Sequence, residues 1–90
     1  MDLVINFTEN RGEVKLKLQG GGVCIDILTF NFEANFDSVL ISAVDKILKR
    51  NRIETLSLKT IKIEGNVDKN SSAHKIALTF CEAWKKARKW

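Results

Sequence analysis

Phe36–Gly65 reads FDSVLISAVDKILKRNRIETLSLKTIKIEG, and its two ends follow different periods. In the first half Phe36, Val39, Leu40, Ala43, Val44, Ile47 and Leu48 recur at intervals of three and four, the apolar stripe of an amphipathic helix. Asn35 or Asp37 is the candidate cap. At the other end Lys59-Thr-Ile-Lys-Ile-Glu64 alternates with period two, as a strand does, and Gly65 closes it. Arg50 to Leu58 connects them, anchored by Ile53, Leu56 and Leu58. A strand that follows a helical crossover lies parallel to an earlier strand, with a right-handed connection.

The earlier strands lie upstream. Leu3–Thr8, LVINFT, is rich in β-branched and aromatic residues, and Glu9-Asn-Arg-Gly12 behind it has turn chemistry. Glu13–Gln19 alternates strictly, with Val14, Leu16 and Leu18 on one face and Glu13, Lys15, Lys17 and Gln19 on the other. Gly20-Gly21-Gly22 turns the chain, and VCIDILTFNFE returns as a third, longer strand. Its apolar phase changes from Val23, Ile25 and Ile27 to Leu28, Phe30 and Phe32, which predicts a bulge near Ile27 and Leu28. Downstream, Ala73, Ile76, Ala77, Phe80, Cys81 and Trp84 mark a second helix, with Asn70, Ser71 or Ser72 as its cap. The order βββαβα predicts one α/β domain over residues 1–90: a mixed four-stranded sheet, strand four parallel to strand one, and two helices on one face.

Composition sets the limits of function. Ninety residues suffice for one core but not for a large cleft with a lid, and 44% hydrophobic with 29% charged residues is ordinary for a soluble globular protein. No apolar run approaches the roughly 20 residues that span a bilayer, and the N-terminus MDLVINF lacks the layout of a secretory signal, so the expected location is cytoplasmic. Cys24 and Cys81 show neither CxxC spacing nor a His partner, so both are expected as reduced thiols in small apolar roles, with no metal site. The formal net charge of +4 permits an acidic or nucleic-acid partner without demanding one. Lys49, Arg50 and Arg52, and likewise Lys85, Lys86 and Arg88, fall at predicted helix C-termini, where cations also favour the dipole.

The order of elements is that of the core of ribonuclease H-like and actin-like ATPase folds. From Phe36 onward the chain resembles the N-terminal half of the TsaB (YeaZ-like) family. The residues that carry this are the helix end, connector and strand ILKRNRIETLSLKTIKIEG (Ile47–Gly65) and the small-residue-rich helix KIALTFCEAWKKA (Lys75–Ala87). The resemblance implies a non-catalytic component of bacterial tRNA threonylcarbamoyladenosine synthesis, with no cofactor. It also implies association through the first two helices, either as a homodimer or with a larger catalytic subunit of the TsaD type. On that comparison the chain corresponds to the first half of a fold that continues with another strand and a second domain. Two positions depart from the family pattern. Asn6 stands where the first strand carries an acid, and the family's glycine-rich loop falls on Val67–Lys75, VDKNSSAHK, which keeps Ser71 and Ser72 and has Lys75 for the Arg.

The residues themselves leave several chemistries open. Ser71, Ser72 and Lys75 at a helix start suit an anion, although the loop lacks the glycines that let backbone N–H groups converge. Lys85, Lys86, Arg88, Lys89 and Trp90 form a basic, aromatic-tipped end that suits single-stranded nucleic acid. Glu64 is placed for a ribonuclease H-like metal site, but Asn6 leaves it without the leading acid. His74 has no nucleophile and orienting group at readable spacing, so no catalytic residue is assigned. Ile41 and Leu78 lie off the main helical stripes, which points to helix-mediated association through Ile41, Val44, Leu48, Leu78, Cys81 and Trp84.

Overall fold

The computed structural model describes residues 1–10, 12–33, 35–65 and 71–88, apart from the side chains of Leu56 and Arg88. The elements are β1 (Asp2–Phe7), β2 (Glu13–Gly20), β3 (Val23–Asn31), α1 (Phe36–Arg50), a 3-10 turn at Thr55–Ser57, β4 (Thr60–Gly65) and α2 (Ser72–Arg88). They form a mixed four-stranded α/β sheet in the order β3-β2-β1-β4, with β4 parallel to β1 as the crossover requires.

Register assigns the two faces. Leu28, Leu16, Ile5 and Ile63 stand in one row across the sheet, and Phe30, Val14 and Phe7 in the next; these rows face the helices. The opposite face carries the rows Ile27–Lys17–Val4–Lys62 and Thr29–Lys15–Asn6–Glu64. Val4 is buried yet lies outside the core cluster, flanked on β2 and β4 by lysines whose aliphatic stems suit an apolar neighbour. The core face is closed by Leu40, Ala43, Val44, Ile47 and Leu48 of α1 and by Ala77, Cys81 and Trp84 of α2. Phe36, at the start of α1, gathers Phe32, Phe7 and Phe30 around its ring at centroid distances of 4.5, 5.7 and 6.3 Å.

The turns follow the local chemistry. Gly21 and Gly22 take φ of +58° and +80°, the two positive values a two-residue hairpin of the favoured twist requires. At the end of α1 the Arg52 N–H donates to the Lys49 carbonyl (3.1 Å) and the Ile53 N–H to the Leu48 carbonyl (2.9 Å), the paired bonds of a Schellman ending. Arg52 occupies the left-handed position usually given to glycine, at φ +57°. Ser71 caps α2: its Oγ accepts the His74 N–H at 3.2 Å. Asn35 precedes α1, but its side chain makes no capping bond. Among the described residues no helix is long and apolar enough to cross a membrane.

The bulge in β3 is real but lies earlier than the apolar phase suggests. Leu18 pairs with Asp26 and Gln19 with Cys24, so Ile25 is the extra residue, not Ile27 or Leu28. A slip at Ile27 and Leu28 would turn Ile25 toward the core, whereas Ile25 and Ile27 are 44% and 49% exposed and Asp26 takes the place opposite Leu18. The polar residue decides. With Ile25 bulged, Asp26 reaches the end of α1, where Oδ2 accepts from Arg50 Nε and Asn51 Nδ2, both at 2.8 Å.

These bonds, Asn51 first and Arg50 second, hold the Asp26 carboxyl below its ordinary pKa of 3.8. A folded-state pKa lowered in this way adds stability that is complete above the ordinary value and lost as pH falls through the folded one. The wild type is therefore expected to exceed Asp26→Asn in stability at neutral pH. Urea titrations at stepped pH should show the gap closing only below about pH 4. A gap that stays constant to pH 2 would remove Asp26 from the acid response.

Candidate functional site

The site is the outer groove between the helices. On α1, Leu40 faces the sheet and Ile41, the next residue, turns about 100° from it. Ile41 is 60% exposed despite its size. On α2, Ile76, Thr79, Phe80 and Ala83 form one stripe at helical spacing, rotated one step from the buried stripe Ala77, Cys81 and Trp84. The two stripes meet as an open groove of about 330 Å³ lined by Asp37, Leu40, Ile41, Ile76, Thr79, Phe80 and Ala83. Asp37 is the one charged residue of that lining, and the Thr79 hydroxyl is spent on the Lys75 carbonyl of its own helix at 2.9 Å. What remains is an apolar trough with a single carboxylate at its rim, chemistry for an apolar side chain rather than for catalysis or metal.

The six residues expected at a helix interface divide here. Val44, Leu48, Cys81 and Trp84 are buried under the sheet, 2–7% exposed, and are core residues of the chain itself. Burial also pushes the Cys81 thiol above its ordinary pKa, which leaves it a small apolar group. Ile41 and Leu78 are exposed but do not join. Leu78 is 45% exposed and sits about 160–200° around α2 from Phe80 and Ile76, on the flank away from the groove. Ile76 and Phe80, which the sequence assigns to the core, are only partly buried and are the residues that accompany Ile41. The signal was present, since α2 carries a wider apolar stripe than one flank of a four-stranded sheet can cover.

The residues suited to an anion or nucleic acid are not brought together. Ser71, Ser72 and Lys75 stand at the start of α2, and Lys85 and Lys86 near its end, about 15–22 Å away at 1.5 Å per residue. Ser71 Oγ is occupied as the cap, and Lys85 Nζ lies 3.9 Å from Glu82. Arg88 ends the helix, and Lys89 and Trp90 lie outside the described residues. His74 is partly buried, and its Nδ1 has no hydrogen-bond partner among the described residues. Asn6 and Glu64 are directly paired in the parallel register, and among the described residues no three His, Cys, Asp or Glu side chains gather as metal ligands. Cys24 is exposed on β3, so only Cys81 takes the buried apolar role expected of both.

The element order βββαβα and the sheet order β3-β2-β1-β4, with β4 parallel to β1, define a mixed α/β fold. In structure the chain is similar to YeaZ from Pseudomonas aeruginosa, with a TM-score of 0.74 and 12% sequence identity. The match covers 99% of this chain and 41% of that one, so the chain spans less than half the length of its structural neighbour. No family model and no curated protein matches the chain. At 12% identity the likeness shows a YeaZ-like fold and leaves the residues to speak for themselves.

Proposed function

We propose that this chain is a non-catalytic interaction module of the TsaB kind, docking a partner in the groove between α1 and α2. The partner is a second copy or a larger catalytic subunit of the TsaD type, in the setting of tRNA threonylcarbamoyladenosine modification. The observation that carries this reading is the Ile41 side chain, 60% exposed beside the partly buried Ile76 and Phe80. Full burial of an isoleucine is worth about 1.5–3 kcal/mol, and a partner covering the exposed 60% of Ile41 would recover the larger part of it. The fold shared with YeaZ supports the setting; the groove supports the mode of association.

Ile41→Asp places a second carboxylate in a groove that already has Asp37 and is expected to weaken association at least tenfold, about 1.4 kcal/mol or more. Leu78→Asp, on the far flank of α2, is expected to change it less than threefold. Sedimentation velocity over a concentration series, alone and with a TsaD-type subunit, reads both. Equal effects of the two variants would place the contact elsewhere, and no association of the wild type in either arm would remove the proposal.

A further inference from the structure

The edge of the sheet at β3 presents a different surface. β3 is nine residues long, borders the sheet, and carries one charged residue, Asp26, in VCIDILTFN. Val23, Ile25 and Ile27 are 64%, 44% and 49% exposed. A long, apolar edge of this kind pairs readily with another strand unless charges or a covering group stop it.

The end of α1 supplies the covering group. The Phe32 N–H donates to the Gly12 carbonyl at 2.8 Å, so Phe32 turns its backbone toward the β2 side. Alternation then turns the backbones of Ile27, Thr29 and Asn31 outward. At Ile27 both outward groups are already taken by side chains: its N–H donates to Asp26 Oδ1 at 2.8 Å, and its carbonyl accepts from Arg50 Nη2 at 3.3 Å. Arg50 is fixed in turn by its Nε bond to Asp26 Oδ2, and Asn51 Nδ2 ties that same oxygen to the Ile47 carbonyl. The last turn of α1 thus reaches over the edge and, with Asp26, occupies the hydrogen-bonding groups of Ile27 that an incoming strand would need.

We propose that Arg50 and Asp26 form a removable guard on β3, and that with the guard open this edge pairs with the β3 edge of a second copy. A second copy is the fitting occupant because the strand is nearly uncharged. Two antiparallel copies registered on Ile27 set Asp26 opposite Leu28, so no like charges face one another even with Asp26 ionised, and the exposed isoleucines come together. An isologous pair of this kind joins two four-stranded sheets into one of eight strands.

The test uses Arg50→Ala and Asp26→Asn, each in the wild type and in Ile41→Asp, so that association through the helix groove is not what is read. At concentrations on the order of 100 µM both guard variants are expected to double in mass in both backgrounds, by light scattering or sedimentation. Amide exchange at Ile27, Thr29 and Asn31 is expected to slow in the associated form. Adding Ile27→Lys should restore the parent mass. Lys49→Ala, which removes a charge at the same helix end and breaks a pair with Asp45 at 3.0 Å, should leave the mass unchanged. Should Arg50→Ala unfold, Asp26→Asn keeps the side-chain shape and is read alone. A folded guard variant that keeps the parent mass, or associates in a way Ile27→Lys does not reverse, overturns the proposal.

Discussion

Gly65→Ala is expected to lose about 3–5 kcal/mol of folding stability, the largest effect of any single methyl group added to this chain. Two costs combine. Gly65 has φ +100°, where a side chain is strained by about 1–3 kcal/mol. A Cβ there would also lie 2.8 Å from the Phe7 nitrogen and 2.6 Å from Asn6 Oδ1, and closer still to the Phe7 carbonyl oxygen. Asn6 could swing aside, but the Phe7 backbone is held from both sides, paired with Val14 on β2 and with Gly65 itself on β4. Relief therefore means pulling the end of β4 away from β1. A domain of this size holds roughly 5–13 kcal/mol in total, so the loss is about a quarter of it or more. Gly21→Ala is the control, since φ there is +58° but nothing lies within 4 Å of the added atom; about 1 kcal/mol is expected. Urea denaturation followed by circular dichroism measures both. Similar losses would mean that the close approach of β1 and β4 costs nothing.

What the sequence disclosed follows from the range over which each feature is determined. The stripe from Phe36 to Leu48 and the strict alternation from Glu13 to Gln19 are periodicities of local geometry, and both elements stand where those patterns put them. The parallel placement of β4 followed from a helix intervening between two strands. Features set by tertiary contact were not legible. Apolar residues at Val44 and Trp84 look the same whether they face their own sheet or a partner, and only burial separates them from Ile41. Ile76 and Phe80 pass for core until the width of the sheet is known. The guard joins Asp26 to Arg50 and Asn51 across 24 and 25 residues, and no local pattern marks such a bond. The same contact accompanies the bulge at Ile25, which brings Asp26 to the end of α1. Gly65 was visible as a strand end, but its close approach to Phe7 depends on the parallel register.

Trp84→Ala is expected to cost about 3–5 kcal/mol and to abolish the association proposed for the groove as well, although Trp84 is not among the residues lining it. The indole is 7% exposed in the core, and its Nε1–H donates to the Thr55 carbonyl at 3.0 Å, fixing α2 to the 3-10 turn before β4. The truncation therefore opens a void under α2 and removes a bond that sets the helix's position along the sheet. Trp84→Phe separates the two. It keeps most of the buried area, leaves the Thr55 carbonyl without the indole donor, and should cost about 0.5–1.5 kcal/mol. If packing alone positions α2, Trp84→Phe will bind a partner as the wild type does. If the bond sets the register, its affinity will fall by more than its stability does, because Ile76 and Phe80 must sit opposite Ile41 for the groove to exist. Sedimentation at a temperature where every variant is fully folded separates these outcomes. Wild-type association by Trp84→Ala under those conditions would show that the α2 wall of the groove stands without its core anchor.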